Sequence, residues 1–255
     1  MSDALPGSLP AVPLLDILAL VWFMACWVGY ALFADRLGVA RRPATQVMHD
    51  YRVRWMERML DRDNRMADIN IVTAHMRSGM LFASITILIL AGVMTILGNV
   101  GKAREVTSEL SFAIEASREM WEIKVLVLLM IFIYASFKYA WCIRQFNFTL
   151  IFIGAAPLPE EVNAIDRHDY PERGARLMDR GINTFNRGLR AYYFGLALLA
   201  WFLGPIFLAA AAVWVVAVVY RRDFRSVTLQ TLSRDDGPGK EGEAVGEGGG
   251  GSAGA

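Results

Sequence analysis

Several things are scarce in this 255-residue chain, and each scarcity closes a class of function. There are two cysteines, Cys26 and Cys142, both inside apolar stretches. They form no disulfide framework and no metal-binding spacing, and read as small buried hydrophobes. The three histidines, His49, His75 and His168, are far apart in sequence. No two of them stand one helical turn apart, as a metal pair would require. The formal net charge is only +1, which argues against a nucleic-acid binder. Residues 1–11 carry no Lys or Arg, and no small-residue cleavage site follows the first apolar block. That block is therefore expected to stay in the protein as a span, not to act as a signal peptide. No nucleophile elbow, phosphate-binding glycine loop or haem motif occurs. The expectation is no cofactor, no metal and, on balance, no enzyme.

What is plentiful is uninterrupted apolar length. The chain is 55% hydrophobic, and those residues are gathered in blocks instead of interleaved with polar ones, which is the signature of a bilayer as solvent. Four blocks suffice to span: about 12–33, 78–97, 123–144 and 191–220. Roughly 20 helical residues at 1.5 Å each cross ~30 Å of hydrocarbon. The expected fold is an all-α membrane protein with four transmembrane helices, extended by cytoplasmic amphipathic helices over 44–77 and 146–190. Residues 1–11 form a short outer N-terminus. The third block stays apolar to Ala156, about 50 Å if helical. Its end, FNFTLIFIGAAP, is expected to leave the lipid and pack on protein. The fourth block holds Gly204-Pro205, where a kink is expected.

Arginines set the orientation. Segment 34–77 holds nine and segment 158–190 six, whereas 98–122 holds Lys102, Arg104 and Arg118 against five glutamates. The positive-inside rule makes the Arg-rich connections cytoplasmic and the N-terminus external, in a bacterial inner membrane. Four crossings then put the C-terminus outside. Arg221, Arg222 and Arg225 fit that badly; the alternative is a fourth block that turns back at Gly204-Pro205. Within 44–77, Met48, Trp55, Met59, Met66, Ile69, Val72 and Met76 recur at helical spacing. Asp61, Asp63 and Asn64 suit a break into two helices. This stripe either lies on the inner leaflet or covers the apolar extension, and the extension's need of a partner favours the second. Residues 235–255 are Gly-rich, charged and free of large apolar side chains, and read as disordered.

Ionisable residues inside spans are the default functional candidates. Asp16 is either a carboxylate in the first turn of its helix, favoured by the helix dipole, or part of a site. Lys138, Cys142, Gln145 and Thr149 share one face of the third span, which either lines a polar path or binds another helix. Lys138 alternatively snorkels to headgroups. Arg144, with Asn147 three residues on, sits at the inner interface. Asp68, His75 and Arg77 precede the second span and form a candidate inner-face network. Small residues mark close helix approach: Ser84, Ala91 and Thr95 on the second span, and Ala197, Ala200, Gly204, Pro205 and Ala211 on the fourth. Their contacts are either internal or with a second copy of the chain.

The stretch YRVRWMERM from Tyr51, then AHMRSGMLFAS from Ala74, KYAWCIRQFN from Lys138, FLGP from Phe202 and YRRDF from Tyr220 occur in an order that resembles a family of bacterial and plant multipass membrane proteins. That family is known as domain of unknown function 599. The resemblance covers about 12–226 and implies four membrane helices but no activity. Trp55, Arg77, Arg144, Asn147, Gly204, Pro205 and Phe224 match its pattern. The leading functional expectation is a helical assembly that binds or passes a small solute or ion. The alternative is a structural or interaction protein that docks a partner or lipid through its cytoplasmic helices. A weaker one is a lipid-modifying enzyme. Expected partners are the bilayer and another copy of the chain, not nucleic acid.

Overall fold

The computed structural model describes residues 13–36, 44–108, 117–164 and 169–224. The N-terminal stretch, His168, Arg225 and the Gly-rich tail lie outside them. Among the described residues the regular structure is all helical: α1 (Leu14–Arg36), α2 (Ala44–Leu60), α3 (Met66–Gly98), α4 (Val100–Ser108), α5 (Arg118–Gly154), α6 (Asp169–Leu199) and α7 (Pro205–Phe224), with 3₁₀ turns at Pro159–Ala164 and Ala200–Phe202. Four of these, α1, α3, α5 and α7, are long and apolar enough to cross a membrane. Large apolar side chains such as Leu88, Phe137 and Trp214 are each 72% exposed on them, which water would disfavour and lipid accepts.

Helix α5 is the axis. Ser117 caps it, accepting a hydrogen bond from the Met120 amide at 3.2 Å. Its buried residues step by four and three along its length: Trp121, Val125, Leu128, Phe132, Ala135, Tyr139, Cys142, Phe146, Thr149 and Ile153. This is the 3.5-residue period of a helix packed lengthwise between partners. Those partners are α3 and α6. Gly79 of α3 lies against Cys142. On the α6 side the seam is a ladder of glycines under rings: Gly195 meets Phe132, Gly188 meets Tyr139, and Gly181 meets Phe146. A β-carbon at Gly181 would stand 2.5 Å from Phe146 Cε1, so only glycine lets the backbone approach so closely. In lipid, where apolar surface alone gives no drive to associate, such close packing holds helices together.

The fourth apolar block is not one helix. Helix α6 ends at Leu199, the chain turns through Ala200–Phe202 and Gly204 (φ 156°), and Pro205 opens α7. Proline fits a first helical position because the amide it lacks would have no partner there. A break therefore replaces the expected kink. Ala197 and Ala200 do not share a helix face with Ala211, because they precede the break and it follows. The course of the chain changes too. Trp201 meets Asp16 at the start of α1, while Tyr30 donates to Asp223 at 2.8 Å and Phe33 packs on Tyr220. Helices α1 and α7 therefore run side by side in the same direction. Arg221 and Arg222 end beside the end of α1, at the Arg-rich pole. The expectation that they lie at the opposite pole is corrected, and their misfit with it. Helix α6 returns the chain from the Arg-rich pole to the opposite one, its glycine face turned to α5.

Beyond the spans lies a second layer. Chain direction reverses at Asp61–Arg65, where Asn64 Oδ1 accepts from the Met66 amide at 2.9 Å. Met56, Met59, Leu60 and Val72 are buried in one cluster with Phe146, Ile153 and Met178. The stripe of 44–77 thus covers the apolar extension of α5. Each such side chain removed from water contributes roughly 1.5–3 kcal/mol. Met66 is the exception to the stripe, at 58% exposed.

Candidate functional site

The Arg-rich pole is organised by three polar knots: one ties α2 to α6, one ties α2 to the start of α3, and one ties the turn before α3 to the end of α5. In the first, Asp179 of α6 takes both partners from α2: Arg52 Nη1, and His49 Nδ1 at 2.5 Å. The other ring nitrogen of His49 is 3.3 Å from Glu172. Burial draws the Arg52 guanidinium below its ordinary value, and Asp179 pushes it back. The hydrogen bond from Arg176 holds the Glu172 carboxyl below the usual carboxylate range. In the second knot, fully buried Asp68 accepts from Trp55 Nε1 at 2.7 Å and from Arg62 Nη1 at 2.6 Å through one oxygen. Its other oxygen has no hydrogen-bond partner among the described residues. In the third, Arg65 donates to the Ala156 carbonyl at 2.6 Å and to that of Pro157. These carbonyls follow α5, which has no residues left to satisfy them itself.

On the outward side of α2, Tyr51, Arg54, Trp55, Arg58 and Arg62 line an open cavity of about 290 Å³. The spacing of Tyr51, Arg54, Trp55 and Arg58 places them along one edge of α2, and Arg62 follows in the turn after it. Arg54 lies over the Tyr51 ring, 4.5 Å from its centre. Asp68 sits behind the cavity and fixes the Trp55 indole and Arg62 from beneath. No carboxylate is among the lining residues.

The opposite pole holds a different cluster. Asp16 accepts from Trp201 Nε1 at 2.6 Å, Lys124 Nζ donates to the Trp201 carbonyl at 2.8 Å, and the two charges are 3.7 Å apart. Asp16 and Lys124 are 8% and 3% exposed. Trp201 thus ties the α6–α7 turn to the start of α1 through its indole and to the start of α5 through its carbonyl.

The candidates read from the sequence are distributed as follows. Cys142, Gln145 and Thr149 are buried in the seams of α5, and Thr149 donates back to the Gln145 carbonyl at 3.0 Å. Lys138 is half-buried with its ammonium 5.0 Å over the Tyr134 ring, apart from those three. Arg144 is exposed, lying over the Trp141 and Phe148 rings, and Asn147 is exposed beside it. His75 and Arg77 are exposed too, with His75 Nδ1 2.9 Å from the Ile71 carbonyl in its own helix. Asp68 alone of that group turns inward, to Trp55 and Arg62. Ser84, Ala91 and Thr95 face outward on α3. Sequence reasoning passed over Lys124, Arg54, Arg58, Asp179 and the glycines at 174, 181, 188 and 195. Lys124 follows the first apolar residue of its span, so the rule that flagged Asp16 applied to it equally. The glycines recur every seven residues.

Compared with known proteins, residues 18–228 match the family described as protein of unknown function, DUF599. No curated protein and no solved structure matches. The chain belongs to the DUF599 family.

Proposed function

We propose that this multipass membrane protein is a membrane-anchored binding platform whose working surface is the Arg-rich helical layer. The observation that carries this reading is the open cavity on α2, lined by the side chains of three arginines and two aromatic residues with no carboxylate among them. Permeation has less support, because the polar residues Cys142, Gln145 and Thr149 are taken up in helix seams. The layer faces the cytoplasm of a bacterial inner membrane on this reading. The positive-inside rule supports it, and α7 now adds Arg221 and Arg222 to the same pole. A C-terminal reporter active only in the cytoplasm should be active.

The test uses the full chain in neutral-lipid vesicles with the Arg-rich pole outward. Labelled polyglutamate should bind at low ionic strength and come off at about 1 M salt, where screening shortens to ~3 Å. No binding by folded protein, or a solute flux that Lys138→Met alters, would overturn the reading.

A further inference from the structure

We infer that the α2 cavity is a specific site for a small, water-soluble, phosphate-bearing anion. The inference rests on the platform reading and names the ligand class. Four observations carry it.

The first is charge without compensation. Arg58 has no ion-pair or hydrogen-bond partner among the described residues, and Arg54 meets only the Tyr51 ring. Arg62 is the one lining arginine already engaged, by Asp68. Two arginines one helical turn apart therefore line one open cavity without an ion-pair partner, a like-charge pair that an anion between them would relieve.

The second is the kind of cation. Every basic residue between 34 and 77 is arginine, and lysine is confined to positions 102, 124, 138 and 240 in the whole chain. Surface charge alone does not demand this. The planar, forked guanidinium matches two oxygens of a phosphate at once, whereas an ammonium offers a point charge.

The third is size. About 290 Å³ lies at the lower edge of the ~300–1,000 Å³ of small-molecule pockets. It holds one phosphate with a short organic group, which the Tyr51 and Trp55 rings can flank.

The fourth is distance from the bilayer. Trp55 is bonded to Asp68, which stands ten residues before Ser78, where the uninterrupted apolar run of α3 begins. That is about 15 Å along the helix, whereas headgroups extend only about 5–7 Å beyond the hydrocarbon. A bilayer phosphodiester therefore falls short of the cavity centre, and the phosphate has to arrive from the water. The indole and Arg62 are already held by Asp68, so the site is ordered before its ligand binds.

The experiment is calorimetric titration of the detergent-purified full chain with sn-glycerol 3-phosphate, inorganic phosphate, sulfate and short-chain phosphatidylglycerol. Two doubly substituted proteins accompany it. Arg54→Gln/Arg58→Gln alters exposed residues that hold nothing else in the fold. Arg173→Gln/Arg176→Gln removes the same charge from exposed α6 positions. Supporting the inference would be saturable one-to-one binding of the phosphate compounds, at least tenfold weaker in the α2 variant and unchanged in the α6 variant. A tenfold loss is the lower end of what a charge-assisted contact supplies. Equal weakening in both variants, or binding that never saturates, would overturn the site while leaving the platform reading in place. Preference for phosphatidylglycerol over the soluble phosphates would overturn the aqueous source. No binding of any anion, polyglutamate included, would overturn site and platform together.

Discussion

At one pole of the bundle Lys124 and Asp16 are shut away with Trp201, both under a tenth exposed. At the other, Asp68 alone is fully buried, while His49, Asp179 and Glu172 share their charges at roughly a fifth to a quarter exposure. Carboxylates therefore meet cations under different rules in these two clusters. Removed from water, a charge pair gains a strong mutual attraction but has given up hydration to obtain it, so it holds only while intact. Within reach of water and salt, pairs are individually weak and can be exchanged for another partner. The sealed pole suits a fixed joint between helices. The open pole suits a surface that binds.

Lys124→Met should show the largest effect. It leaves the Asp16 carboxylate buried with Trp201 as its remaining partner, a loss of about 3–5 kcal/mol. Thermal unfolding of the detergent-purified chain would register it as a marked fall in Tm. Adding Asp16→Asn removes the stranded charge and keeps an acceptor for the indole, so the double variant should recover most of the loss. A single variant as stable as the parent would show that the sealed pole is not sealed.

Next comes the apolar floor of the open pole. Met59 is fully buried between α2, α5 and α6, and Met59→Ala should cost about 2–5 kcal/mol. It tests whether the binding layer stands on a true core. Increased protease cleavage within 44–65, with the spans left intact, is the expected local signature. Resistance equal to the parent's would mean that the ionic knots alone hold α2.

Gly181→Ala probes the α5–α6 seam beside that floor. The new methyl meets the Phe146 ring, and overpacking of this kind costs about 1–3 kcal/mol. The companion Phe146→Leu should relieve part of it, because the clash is with the ring and not with backbone. Gly92→Ala is the control: nothing lies within 4 Å of a β-carbon there. If both glycines tolerate alanine equally, the ladder is not what sets the α5–α6 spacing.

Much of this architecture was legible because it follows from periodicity and length. The apolar helices α1, α3 and α5, the continuation of α5 beyond its first apolar stretch and the apolar stripe of 44–77 all come from counting against 1.5 Å and 3.6 residues, whereas the fourth block of 191–220 divides between the end of α6 and α7. What escaped depends on which face meets which. Lys138, Cys142, Gln145 and Thr149 are spaced as one helix stripe, yet α5 has partners on two sides. Three of them fall in its seams and Lys138 does not. Asp16 was found, but its partners were not, since Lys124 and Trp201 come from helices 108 and 185 residues away. The direction of α7 was open to reasoning from Arg221 and Arg222. Their misfit with a four-crossing path was real evidence, and Gly204-Pro205 marked the place of the turn. The cavity on α2 was the least legible feature, because nothing in the spacing of Arg54 and Arg58 separates a pocket wall from an ordinary solvated face.

The smallest effect expected is that of Glu172→Gln. Arg176 Nε donates to Glu172 Oε1 at 2.8 Å, one turn along α6, and Arg176 is two-thirds exposed. Exposed pairs at this spacing contribute about 0.3–0.5 kcal/mol. The hydrogen bond from Arg176 holds the Glu172 carboxyl below its ordinary range. Its contribution is therefore present above the unfolded value, near ~4.3, and is lost as pH falls through the folded one. The stability difference between parent and variant should close below about pH 4, and also in about 1 M salt at neutral pH. Lys124→Met should keep its penalty in that same salt. A Glu172→Gln difference above about 1 kcal/mol, or one that survives the salt, exceeds what a screened pair can supply. It would place the Arg-rich pole under the same rule as the sealed one, and a surface whose charges are locked in that way has little to offer an incoming anion.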